Sequence, residues 1–238
     1  MKRTIGIYIV FLLGLLLNSC GSKSDSESLI AHKSGKSSVS HKSGESSKLV
    51  VYIQPFGNMN SGYLTFVKNS LQNDFSSVKI LPKMNLPRTA FVGIRKRYDA
   101  NKMLWYLQDL YVKRKYPNET FLVGVTESDL CQNRENPKKW KGKLGFGSPD
   151  YGIMGLGYQP ESKNTVPSQK VNINSTIRLN SNKKEQLAKL IRHELGHNFG
   201  LPHCPNKSCI MRDAEGGNHF NEMTRFCKKC KLKFAKEQ

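Results

Sequence analysis

Three imidazoles and a carboxylate fall within eleven residues of this 238-residue chain, in His193-Glu194-Leu195-Gly196-His197-Asn198-Phe199-Gly200-Leu201-Pro202-His203. His193 and His197 are four apart, so on a helix both rings face one side. A catalytic Zn²⁺ takes three protein ligands and keeps one position for water. A helix carrying two of the ligands must end sharply before a third can fold back. Gly200 accepts the left-handed backbone that such an exit requires, and His203 then supplies the third imidazole. Glu194 stands beside the ligands, within reach of the metal-bound water. The expected chemistry is hydrolysis of a peptide bond. Zinc lowers the pKa of its water and polarises the scissile carbonyl, and it stabilises the oxyanion that forms. Glu194 takes the water proton as general base and carries it to the leaving amine. No Ser/His/Asp nucleophile set competes with this reading, and no glycine-rich dinucleotide fingerprint follows the first strand.

The cysteines point to a second site. Of six, four lie near the C-terminus: Cys204 directly after the third histidine, Cys209, and the pair Cys227-Lys228-Lys229-Cys230. Four thiolates suit a closed structural Zn²⁺ site. Two disulfides are the alternative, which an extracytoplasmic location would permit. Cys131 stands outside the cluster and reads as a buried thiol.

Together these motifs resemble the archaemetzincins, a zinc metallopeptidase family of the metzincin clan. Its signature joins HExxHxxGxxH to a cysteine directly after the third histidine, a CxM and a later CxxC. Here the matching residues are His193 to His203, Cys204, Cys209-Ile210-Met211 and Cys227 to Cys230. The resemblance implies that His193, His197 and His203 hold a catalytic zinc with Glu194 as base, and that the four cysteines hold a second, structural zinc. It also implies that Met211 forms a turn beneath the catalytic ion. Weaker likeness at Leu81-Pro82, Arg97-Tyr98-Asp99-Ala100 and Gly124 to Leu130 extends it over roughly 48–232. The implied fold is metzincin-like α/β (α+β): a mixed twisted sheet with packed helices, an active-site helix and a small zinc-bound C-terminal subdomain. A peptide or protein substrate and a monomeric chain are expected.

The elements that must position these residues are legible from periodicity. Leu49 to Ile53 is a short apolar run, read as a buried strand. Leu64, Phe66, Val67 and Leu71 predict a helix over 61–74, and Val78 to Leu81 a second strand stopped by Pro82. Met103, Leu104, Tyr106, Leu107, Leu110 and Tyr111 give an apolar face over 99–116, and Phe121 to Val125 forms the next strand. Strand-helix-strand-helix-strand order favours an α/β sheet. Residues 132–150 read as a loop or edge strand, and 151–158 and 171–179 as further strands. A helix is expected over 183–198, with Leu187, Leu190, Ile191, Leu195 and Phe199 toward the core. Beyond it, Pro and Gly density argues against long elements until about 220.

The N-terminus reads as a targeting segment. Met1-Lys2-Arg3 precedes an almost wholly apolar run from Thr4 to Leu17. As a helix it spans roughly 21 Å, short of a hydrocarbon core of about 30 Å, but of signal-peptide size. It ends in Leu17-Asn18-Ser19-Cys20, which resembles the lipobox of bacterial lipoproteins, where the cysteine is acylated and becomes the new terminus. The expected organisation is a signal peptide over 1–19, a lipidated Cys20 with a Ser/Gly/Lys-rich tether over 20–47, and a peptidase domain over 48–238. The tether has too few large apolar residues to order itself. The expected location is a bacterial cell envelope, lipid-anchored, with the outer membrane as the default because no Asp stands at position 21.

The formal net charge is +20, which predicts attraction to anionic surfaces. The basic residues are scattered and lack an aromatic-interleaved stripe, so no specific nucleic-acid partner is expected. Arg95-Lys96-Arg97 beside Tyr98 reads as a solvated basic turn. A second functional reading is a catalytically silent, zinc-containing peptide-binding lipoprotein. The intact Glu194 counts against it, because a pure binder needs no base.

Overall fold

Strand β1 (Val50–Phe56) is covered on both faces, which is why its apolar run is nearly continuous. In the computed structural model the described residues are 49–133, 150–158 and 169–236. The chain divides into units 1–43 and 44–238, and every described residue lies in the second. After β1 come α1 (Ser61–Leu71), β2 (Ser77–Ile80), β3 (Phe91–Val92), β4 (Arg97–Asp99) and α2 (Ala100–Lys113). Strands β5 (Thr120–Thr126), β6 (Leu130–Asn133), β7 (Asp150–Ile153), β8 (Gly155–Leu156) and β9 (Val171–Ser175) follow. Helices α3 (Lys183–Asn198) and α4 (Lys228–Lys236) complete the order.

Five strands form the main sheet in the order β2-β1-β5-β9-β8. Four are parallel, and the edge strand β8 runs antiparallel to β9. The second sheet, β3-β4-β6-β7, is also mixed. Alternation along the main strands separates two cores. Val51, Ile53, Phe121, Val123 and Val125 meet Leu64, Val67 and Leu71 of α1 and Leu187, Ile191 and Leu195 of α3. On the opposite face Leu122 and Ile173 meet Met103, Leu104 and Leu107 of α2. This is the mixed sheet with packed helices that the sequence predicts.

Helix starts follow local chemistry. The Asn60 side chain accepts from the Gly62 and Tyr63 amides, and Asp99 from those of Asn101 and Lys102. Helix α1 ends at Leu71, short of the expected 74, and Phe75 turns into the core instead. The strand expected over 171–179 stops at Ser175, because Leu179 N–H bonds back to Thr176 in a turn. Strand β3 has no counterpart in the sequence reading; it is two residues long and pairs with the nearby β4, while β4 pairs with the distant β6. Of the segment expected as loop or edge strand, only residues 132–133 and 150 are described, and they belong to β6 and β7.

Candidate metal centres and active site

The second half of α3 is buried on nearly all sides, from His193 through Asn198. It ends as the glycine predicts. Gly200 has φ +73°, its N–H donates to His197 O at 2.8 Å, and Leu201 N–H donates to Gly196 O at 2.9 Å. That pair of bonds is a Schellman exit. It turns the chain so that His203 faces back toward the helix. Phe199 at the exit is held between Phe121 and Phe234, each with ring centroids 4.8 Å away. Lys233 Nζ of α4 donates to Gly200 O at 2.9 Å.

The three histidines converge. His197 Nε2 lies 3.1 Å from His193 Nε2 and 3.2 Å from His203 Nε2. Carbonyls only accept, so His193 Nδ1–H donates to Ile210 O at 2.6 Å and His197 Nδ1–H to Leu201 O at 2.8 Å. These bonds leave lone pairs on the two Nε2 atoms, facing each other. Burial pushes the His193 pKa down to about 4 and that of His197 well below its ordinary 6.5, so both rings are neutral. Neutral lone pairs at this separation repel unless a cation lies between them. Tetrahedral Zn²⁺ with Zn–N near 2.0–2.1 Å places its ligand nitrogens about 3.3 Å apart. The donor set therefore fits zinc. His203 is more exposed, and its Nδ1 stands 3.6 Å from a carboxylate oxygen of Asp213.

Glu194 lies against the edge of the sheet. A Cβ on Gly155 would stand 2.7 Å from its Oε1, and one on Gly157 would stand 3.0 Å from Oε2. The two glycines give the carboxyl its room. Glu194 is only 5 % exposed, and its Oε2 has no hydrogen-bond partner. A buried oxygen left unpaired calls for an explanation, and one poised for a reacting proton supplies it. Burial raises the carboxyl pKa to about 8; the nearby Gly157 amide opposes this without reaching hydrogen-bond geometry with Oε2.

This shift predicts a pH dependence in protein stripped of metal at the histidine site. A raised folded pKa means that the folded state binds the extra proton, so its contribution is full below about 4.5 and is lost as pH rises through about 8. Relative to wild type, Glu194→Gln should gain about 2 kcal/mol between pH 6.5 and 8. Denaturant unfolding of both proteins at the two pH values checks this, and comparison within the pair cancels the other titrating groups. A pH-independent difference would contradict it.

The four cysteine sulfurs also gather, all within 4.8 Å of one another. No disulfide joins them. Cys204 Sγ and Cys227 Sγ are 3.8 Å apart, the edge expected for about 2.3 Å Zn–S bonds in a tetrahedron. Of the two alternatives, the thiolate metal site is the one this arrangement fits. The Cys230 backbone N–H, followed by the neighbouring thiols, lowers the Cys227 pKa to about 7, whereas burial raises those of Cys209 and Cys230.

The segment between the sites interlocks them. Met211 is fully buried, and Cys204 N–H donates to its carbonyl at 2.8 Å. Its Sδ lies so close to Gly196 that any Cβ there would collide with it. Met211 thus sits beneath the histidine helix, and Gly196 makes the approach possible. Sequence reasoning missed the roles of Gly155, Gly157 and Gly196. Gly196 was visible within the motif, but the other two act through a strand pairing that local patterns do not reveal. Cys131 is buried, as expected. Cys20 lies outside the described residues.

A helix presenting two zinc-fitting imidazoles and a buried carboxylate beside a mixed sheet, with a third imidazole folded back after the helix end and a four-thiolate cluster alongside, defines a zinc metallopeptidase. The family model of Peptidase family M54 matches residues 63–236, and the chain belongs to that family. It is a zinc-dependent peptidase acting on peptide or protein substrates, with two candidate zinc sites. The archaemetzincin of Methanocaldococcus jannaschii is 29% identical over 182 residues, covering 76% of this chain and 89% of that one. That of Pyrococcus furiosus is 28% identical over 171 residues, covering 68% and 79%. The crystal structure of Methanopyrus kandleri archaemetzincin superposes with TM-score 0.60 at 22% identity, over 81% of this chain and 97% of that chain. Archaeoglobus fulgidus archaemetzincin, crystallised with malonate, gives TM-score 0.56 at 24% identity, over 78% and 99%. At these identities the superpositions establish the fold.

One expectation is corrected. The curated relatives matched come from archaea, which overturns the placement in a bacterial cell envelope and its outer membrane. Among the described residues no helix is long and apolar enough to cross a membrane. The reading failed because an apolar run of signal-peptide length states only that the segment partitions out of water. Which cell's envelope receives the chain is not encoded in that physics.

Proposed function

We propose that His193, His197 and His203 hold the catalytic zinc, that Glu194 is the general base, and that Cys204, Cys209, Cys227 and Cys230 hold a structural zinc. The observation that carries this reading is the convergence of three Nε2 atoms, at 3.1 and 3.2 Å, beside a buried carboxyl with an unpartnered oxygen. When bound, the catalytic ion supplies Lewis-acid polarisation and a more acidic water. The chain's own residues do the rest. Ile210 O and Leu201 O fix the tautomers and aims of His193 and His197. Glu194 receives the proton of the attacking water and delivers it to the leaving nitrogen. The glycine-lined edge strand keeps that carboxyl in place without filling its space, and Met211 braces the helix from below. Metal analysis of purified protein tests the assignment: wild type should carry about two zinc equivalents and His197→Ala about one. Two equivalents in that variant would refute the histidine assignment.

The proposed organisation is a leader over 1–19, a tether over 20–47 and the peptidase domain over 48–238, with Cys20 acylated after the leader is cut away. Support comes from the apolar run ending in Leu17-Asn18-Ser19-Cys20. Cys20→Ser should abolish incorporation of labelled fatty acid and leave an unprocessed precursor in an expressing cell. Label retained in that variant would remove the acylation site.

A further inference from the structure

Asn172, Asn174 and Asn198 are 0 %, 0 % and 4 % exposed, on the face of the sheet where neighbouring strands present Val and Phe. Val171 and Ile173 point into the opposite core, so the two β9 asparagines look toward α3. The amides form a ladder. Asn174 Nδ2 donates to Asn172 Oδ1 at 2.7 Å and to Gly124 O at 3.2 Å. Asn172 Nδ2 donates to Asn198 Oδ1 at 2.7 Å, and Asn198 Nδ2 donates to Val171 O at 3.1 Å. Asn174 Oδ1 is left without a partner, and the bonds made by the other amide atoms favour one arrangement where apolar packing tolerates several.

The ladder is placed at the reacting groups. Asn198 directly follows His197. Asn174 is the cross-strand partner of Gly155. A Cβ on Gly157 would stand 3.4 Å from Asn172 Cβ and 3.0 Å from Glu194 Oε2. The same asparagines therefore touch the last turn of α3 and flank the edge strand against which the Glu194 carboxyl lies.

We propose that Asn172, Asn174 and Asn198 are positioning residues: their ladder fixes the rotation of the last turn of α3 and its separation from β8, and so aims the His197 ring and sets the gap that holds the Glu194 carboxyl. The inference rests on the peptidase reading above. Leucine keeps the branched outline of asparagine but is larger and makes no hydrogen bond, so the bonds and the spacing of the ladder are both lost.

The test uses the full chain with Co²⁺ at the histidine site and zinc at the cysteine site. Asn198→Leu and Asn172→Leu should each weaken Co²⁺ binding about 10- to 100-fold and shift its visible absorption bands. Turnover should fall by a similar factor with KM little changed. The double variant should lose no more than the worse single one, because both act through one hydrogen-bonded unit. Should either leucine variant fail to fold, Asn174→Ala, which removes the far end of the ladder, should still weaken Co²⁺ binding. Unchanged Co²⁺ affinity and spectrum with only a lowered Tm would overturn the proposal, as would effects that simply multiply in the double variant. A wild type that binds Co²⁺ but cleaves no peptide would count against the peptidase reading, while affinity and spectrum still decide the ladder.

Discussion

Glu194→Ala is expected to lower turnover by roughly 10²- to 10⁴-fold while both zinc ions stay bound. The side chain is not among the converging ring nitrogens, so its loss removes proton transfer without removing a ligand. Stability should not fall with activity. Glu194 keeps a buried oxygen without a hydrogen-bond partner, so the folded state bears a cost that the alanine variant escapes. An unchanged or higher Tm beside lost turnover is the expected signature of a group held for chemistry. Digestion of a peptide library by wild type and variant, read by mass spectrometry, makes the comparison and displays the preference around the cut bond. Equal fragments from both proteins would assign the proton transfer elsewhere. No fragments from zinc-loaded wild type would favour the silent peptide-binding reading.

The second large effect belongs to the cysteine cluster. Cys227→Ser is expected to lose one zinc equivalent and, with it, the order of the segment from His203 to α4. Structural zinc binding is folding free energy, about 10–16 kcal/mol in apparent terms for small zinc peptides at neutral pH. Losing even about 4 kcal/mol would lower Tm by roughly 8–16 °C in a domain of this size. The damage should spread to the histidine site. Cys204 is bonded to His203 in sequence, Cys209 precedes Met211 by two residues, and the Cys204 amide is tied to the Met211 carbonyl at 2.8 Å. Metal analysis with calorimetry checks both parts. An unchanged zinc content with an unchanged Tm would show that Cys227 holds no metal.

Much of the candidate site was legible because its histidines are local in sequence. A four-residue spacing on a helix puts two imidazoles on one side whatever the rest of the chain does. A glycine three residues later permits the left-handed exit, and φ +73° at Gly200 is that exit. Helix 183–198, the strand at Val50 and the strand at Thr120 were equally readable, since each carries its own apolar period. The cysteine spacing pointed to a thiolate site with two disulfides as the alternative, and the gathering of the four sulfurs favours the first.

What tertiary structure decided is everything set by surfaces distant in sequence. Gly155 and Gly157 lie in a segment read as a strand, but nothing marks their role until β8 pairs with β9 and lays them over Glu194. Gly196 is an unfavourable helix residue until Met211 arrives beneath it. Asn172 and Asn174 are polar residues of a strand, yet they are fully buried because α3 covers them, and Asn172 finds its partner in Asn198. The residue types and their spacing determined which chemistry this protein could perform, because ligand geometry along one helix is a local property. Only the packed sheet decided where the base lies, how dry it is and what holds it, because burial and partnership are properties of the assembled fold.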